Sequence, residues 1–180
     1  MPTIAVLVGS LRRDSINAIY AKALEKLATG QFDFHHVDMD LPLYNNDLWE
    51  TPPAKVLALK ETIRSSDGVL IVTPEYNRSV PAVTKNALDW ASRPYGDNAW
   101  SGKPVAITGA SPGSQGTAVA QSQLRSTLTV LGTHVLGEPE VYISFKPEVF
   151  AADGTVLNDG TAKFLKGFLD KFAALIDKVK

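Results

Sequence analysis

Within nine positions the chain places Gly9, Ser10, Arg12, Ser15 and Asn17, directly after an apolar run and directly before a stretch of helical periodicity. That combination suits an anion. The first amides of a helix have no intrahelical acceptor, the helix dipole adds partial positive charge there, and short polar side chains supply further donors. Arg12 offers a bidentate contact to a phosphate. A charge-assisted hydrogen bond contributes about 1.5–3 kcal/mol net and a helix terminus about 0.3–2 kcal/mol, so a few together approach micromolar affinity, about −8 kcal/mol. Tighter binding requires a larger group beyond the phosphate. The segment has neither the lysine of a P-loop nor the G-x-G-x-x-G spacing of dinucleotide folds, which favours a monophosphate. The plainer alternative is a Ser-capped helix start with two solvated arginines, and Asp14 would repel an anion unless turned away.

Two further segments are dense in turn formers: Thr73-Pro74-Glu75-Tyr76-Asn77-Arg78-Ser79 and Gly109-Ala110-Ser111-Pro112-Gly113-Ser114-Gln115-Gly116. Such loops present main-chain N–H and C=O groups to the polar edge of a flat heterocycle, and glycine lets the backbone come close. Glu75 is the one acid in them, and its main chain rather than its carboxylate is expected to meet a ligand. There is no cysteine, which removes thiol nucleophiles, disulfides and thiolate metal sites. His35, His36 and His134 lack metal-ligand spacing, so no metal site is expected. Redox chemistry would need a cofactor.

The elements that must position these loops read as strands and helices in alternation. The β-branched run at residues 4–8 predicts a strand buried on both faces, and Ile16, Ile19, Tyr20, Ala23, Leu24 and Leu27 recur at helical spacing behind it, with Ser15 as cap and Gly30 as stop. The pattern repeats with strand 32–37, helix 54–64, strand 68–73, helix 81–92, strand 105–108, helix 116–131, a broken strand through 135 and 141–143, and helix 161–179. Five strands alternating with five helices predict one α/β domain over 1–180, a doubly wound parallel sheet with helices on both faces. In such a sheet, ligands collect outside the carboxyl ends of the strands, where the three loops fall. Long loops at 40–53 and 146–160 complete the chain.

The 180 residues suit one domain, and 44% hydrophobic with 21% charged residues describes an ordinary globular chain. Lys plus Arg total 18 against 19 for Asp plus Glu with no basic block, so no nucleic-acid footprint is expected and the partner should be a small molecule. The apolar opening stops at Gly9, too short for a signal peptide or a membrane span, which leads to the expectation of a cytoplasmic protein without a membrane partner.

Three segments in order, Gly9-Ser10-Leu11-Arg12 with Ser15 and Asn17, Pro74-Glu75-Tyr76-Asn77, and Lys85-Asn86-Ala87-Leu88-Asp89-Trp90, resemble the NADPH-dependent FMN reductase family, which includes bacterial quinone and chromate reductases. The resemblance extends to about residue 143. It implies a flavodoxin-like three-layer sandwich with a five-stranded sheet of order 2-1-3-4-5. In it Ser10, Arg12, Ser15 and Asn17 would bind the FMN phosphate, Pro74, Glu75, Tyr76 and Asn77 would border the isoalloxazine, and Ser111 and Gly113 would complete the ring site. It also implies a homodimer or homotetramer, with the segment carrying Asn86, Asp89 and Trp90 as an interface helix. FMN would carry the chemistry, with no catalytic side chain and NADPH or NADH as cosubstrate. Arg78 and Arg13 are candidates for the nicotinamide nucleotide's phosphates. Electrons would pass by a ping-pong route to quinones, free flavin, azo compounds, chromate or ferric compounds. Two rival readings are a flavodoxin-type electron carrier, disfavoured by a net charge of −1, and a flavin-independent phosphate-binding α/β enzyme, disfavoured because no base or metal carboxylate cluster accompanies the loop.

Overall fold

A computed structural model describes residues 1–179. The β-branched runs form strands β1 (Thr3–Val8), β2 (Asp33–His36), β3 (Gly68–Val72) and β4 (Pro104–Ser111), followed by two short strands, β5 (His134–Val135) and β6 (Tyr142–Ser144). Between and after them lie α1 (Ile16–Leu27), α2 (Ala54–Ser65), α3 (Ala82–Ala91), α4 (Ala118–Val130) and α5 (Asp159–Val179). Every pairing is parallel and the order is β2-β1-β3-β4-β5, as the resemblance implies. The broken strand resolves into two that both pair with β4, so the sheet has six strands rather than five. Pro139 sits between them and has no N–H to donate to a ladder, so the chain leaves β4 and rejoins it higher up.

Alternation along the strands sends neighbouring residues into opposite layers. Ile4, Val6, Leu70 and Val72 pack under α1 and α5 with Tyr20, Leu24, Phe168 and Phe172. Ala5, Leu7, Val69 and Ile71 pack under α2, α3 and α4 with Leu59, Leu88, Trp90 and Leu124. Each fully buried Leu or Ile contributes about 1.5–3 kcal/mol, and a double-sided core of this kind leaves β1 and β3 little freedom to shift. The helix after β1 lies on one face and the helix after β2 on the other. Connections therefore diverge between β1 and β3, which is where a doubly wound sheet opens a crevice.

The long loops are tied down. A 3-10 turn, Asn46–Glu50, interrupts the first, and Asn86 and Trp90 hold it: Asn86 Nδ2 and Trp90 Nε1 both donate to Pro42 O, at 2.9 and 2.7 Å, while Asn86 Oδ1 accepts from Tyr44 N–H at 2.8 Å. The second covers α1, with Phe150 stacked on Phe145 and edge-on to Tyr20, and Asp153 paired with Lys26 at 2.9 Å. No described helix is long and apolar enough to cross a membrane.

Candidate functional site

The loops leaving β1, β3 and β4 start level with one another, because Val8 pairs with Val72 and Val72 with Thr108. Main-chain bonds join them one residue further on: Gly9 N–H donates to Val72 O and Thr73 N–H to Thr108 O, each at 2.9 Å. Two glycines permit this closeness. A Cβ on Gly9 would stand 2.1 Å from Thr84 Oγ1, and one on Gly109 would stand 1.9 Å from Thr73 O. Under Gly9 the Thr84 hydroxyl is buried and finds no hydrogen-bond partner among the described residues.

Together the loops enclose a cleft of about 160 Å³. Ser10, Arg12, Ser15 and Asn17 line it from the first loop, Pro74, Glu75 and Tyr76 from the second, and Ser111 from the third. Asn77 and Gly113 are exposed in the same loops but outside this lining. Sequence reasoning passed over three lining residues, Ile16, Ala110 and Pro112. All are apolar neighbours of residues it named, and no polar group marked them out.

Each named side chain has a definite employment. Ser15 is the N-cap of α1, accepting from Ala18 N–H at 3.3 Å in an extended conformation. The amides of Ile16 and Asn17 precede the first bond of the helix and have no intrahelical acceptor. Asn17 is buried, and its side-chain amide makes two bonds to Ala110, Nδ2 donating to the carbonyl and Oδ1 accepting from the N–H, both at 2.9 Å. Its side chain therefore ties the start of α1 to the end of β4, while the second Nδ2 hydrogen and the backbone N–H are left to meet an anion. Ser111 Oγ donates to Gly116 O at 2.6 Å and so folds the third loop back on itself. Arg12 is exposed, and its guanidinium forms no ion pair among the described residues.

The Glu75 carboxylate is buried in the protein and bonds to Val119 N–H, Ala120 N–H and Arg78. Arg78 is thereby tethered to Glu75 through Nη1, while its side chain stays largely exposed with further N–H donors. Below the cleft, Thr108 Oγ1 donates to Val141 O at 3.1 Å and is 2.8 Å from Tyr20 Oη, which leaves Tyr20 as donor. Burial pushes the Tyr20 phenol well above its ordinary range, so it stays neutral. No histidine lines the cleft: His35 lies beside Asp33, His36 beside Glu25 and His134 on β5. The described residues include no group of three His, Asp or Glu able to hold a metal ion.

A 2-1-3-4-5 sheet with hydroxyls, a guanidinium and unpaired amides converging at its switch point defines a flavodoxin-like protein built to hold a phosphate-bearing ligand. The chain belongs to the NADPH-dependent FMN reductase family, whose pattern it matches over residues 2–148. It is 50% identical over 174 residues to a 2-hydroxy-1,4-benzoquinone reductase of a Burkholderia species, covering 96% of this chain and 95% of that protein. It is 41% identical over 182 residues to a quinone reductase of Escherichia coli K12, covering 98% and 96%. Among solved structures, the flavoenzyme NAD(P)H:(acceptor) oxidoreductase FerB of Paracoccus denitrificans superposes with a TM-score of 0.96 at 52% identity, covering 99% of this chain and 98% of that one. The chain is an NAD(P)H-dependent oxidoreductase that works through FMN.

Proposed function

We propose that the enzyme passes electrons from NAD(P)H to a quinone, with the flavin phosphate at the start of α1 and the isoalloxazine along the loops after β3 and β4. The single observation carrying this placement is the cleft itself, where anion donors stand on one wall and the turn segments after β3 and β4 form the other two. The residues fit such a group: Gly9 and Gly109 let the three loops approach closely enough to form one cleft, and the only carboxylate in the lining is engaged elsewhere. Ser10, Arg12, the Ser15 hydroxyl and the Ile16 and Asn17 amides bind the phosphate. Pro74, Glu75, Tyr76 and Asn77 border the ring through their main chain, and Ser111 and Gly113 close its far side.

When bound, FMN supplies the hydride acceptor and the electron donor for the second substrate. The protein's share is to orient and cover it. Tyr76 lines the cleft and is exposed, so one side of a ring bound there would be open to solvent, and donor and acceptor would use it in turn. A quinone acceptor is supported by the named activities of relatives that align over nearly the whole chain. The family resemblance supports assembly as a homodimer or homotetramer, and a nicotinamide donor supports action in the cytoplasm. Initial velocities measured against NADPH at several benzoquinone concentrations are expected to give parallel double-reciprocal lines. Intersecting lines, the sign of donor and acceptor bound together, would contradict the shared cleft.

A further inference from the structure

Helix α4 begins without a cap of its own. Thr117 holds the N-cap position, yet its hydroxyl accepts from Gln121 Nε2 at 2.9 Å and makes no capping bond. The missing acceptor comes from another strand's loop. Glu75 Oε2 accepts from Val119 N–H at 2.9 Å and from Ala120 N–H at 3.0 Å, amides that have no partner within the helix. Its other oxygen, Oε1, accepts from Arg78 Nη1 at 2.9 Å. The side chain of Glu75 is only 5% exposed, so these bonds form where water competes little.

The same helix grips the loop a second time, one turn further on. Gln123 Oε1 accepts from Ser79 Oγ at 2.8 Å and from Val80 N–H at 3.3 Å, and its Nε2 donates to Arg78 O at 3.2 Å. Between these two grips the chain makes a tight reversal in which Tyr76 and Ser79 exchange backbone bonds while Asn77 and Arg78 both adopt positive φ, at 52° and 59°. Consecutive left-handed residues other than glycine are costly and persist only where surrounding contacts determine them.

We infer that the Glu75 carboxylate is a positioning residue for the flavin ring: it locks the turn after β3 onto α4, and so sets the separation of the two main-chain walls between which the ring lies. This rests on the cleft being the flavin site. The carboxylate has no direct contact with the ring in this role, and the phosphate end of the cleft is independent of it. A bare helix cap would stabilise α4 and leave flavin binding untouched.

The discriminating experiment is a flavin fluorescence titration of the full-length protein, freed of flavin, with FMN and with riboflavin, for wild type, Glu75→Gln and Gln123→Ala. Glutamine preserves shape but removes the charge and one of the acceptors. Gln123 is exposed and lies outside the cleft lining, so its removal leaves a folded chain. In both variants riboflavin and FMN are expected to weaken by the same factor, about tenfold for Glu75→Gln and less for Gln123→Ala, and the visible band of bound flavin is expected to shift. Inhibition of FMN binding by inorganic phosphate should be unchanged. Flavin affinities and band position equal to wild type, with only a lower melting temperature, would overturn the inference and leave a helix cap. Loss of FMN affinity with riboflavin unaffected would overturn it as well. Wild-type protein that binds neither flavin would overturn both this inference and the function proposed above.

Discussion

Arg12 and Asn17 stand five residues apart where the first loop runs into α1, yet the structure divides their duties. Asn17 is buried and bonded in both directions to Ala110, so it fixes where the loop sits. Arg12 is exposed with its guanidinium unpaired among the described residues, so it is the group available to an incoming phosphate. Replacing Arg12 by alanine is accordingly expected to weaken FMN by roughly tenfold or more, from the loss of one charge-assisted bond of about 1.5–3 kcal/mol, while riboflavin affinity stays near wild type. Paired fluorescence titrations check this, and equal weakening of both flavins would show that Arg12 does not meet the phosphate. The residue types of this loop were readable from the sequence because anion binding has a local signature: hydroxyls and a guanidinium at a helix start. The employment of Glu75 was not, since its partners Val119 and Ala120 lie 44 and 45 positions away and are backbone amides, identical in every residue.

Among the elements, β2 is one edge strand of the sheet and the least buried of the long ones, packing Phe34 on the core and carrying a charged pair at its end. His36 at its end bonds Glu25 on α1. That hydrogen bond raises the His36 pKa above its ordinary value, against opposing contributions from burial and from Lys22. Since the folded value lies above the unfolded one, about 6.5, the contact stabilises fully below that pH and its contribution is lost as pH rises through the folded value. The pair is half exposed, so its worth is at most about 1 kcal/mol. Denaturant melts of wild type and His36→Gln should therefore differ more at pH 5.5 than at pH 9. A difference that stays constant across this range would remove the pair as the origin. Strands and helices were legible here because periodicity of two or of 3.6 residues is written locally. The split of the last strand was blurred because β5 spans two residues and β6 three, too few for a pattern to emerge, and the tether of residues 42 and 44 to Asn86 and Trp90 depends on a contact between distant segments.

At the scale of the whole molecule, the double-sided core holds β1, β3 and β4 in register, the register brings three loops level, and the level loops make one cleft at the point where connections diverge. The alternation of elements and the handedness of crossovers give a doubly wound sheet and the family resemblance implies its strand order, which is why the place of the cleft could be read before any side chain was placed. Its dimensions could not, because they depend on Gly9 and Gly109 meeting Thr84 and Thr73 across strands. The central claim is that this cleft holds FMN in a form reducible by a nicotinamide. The most direct measurement is the visible absorbance of the purified protein mixed with one equivalent of FMN, desalted, and titrated anaerobically with NADPH. A flavin band is expected to survive desalting and to bleach with one equivalent of NADPH. Flavin lost entirely to the small-molecule fraction, or retained but unchanged by NADPH, would contradict that claim.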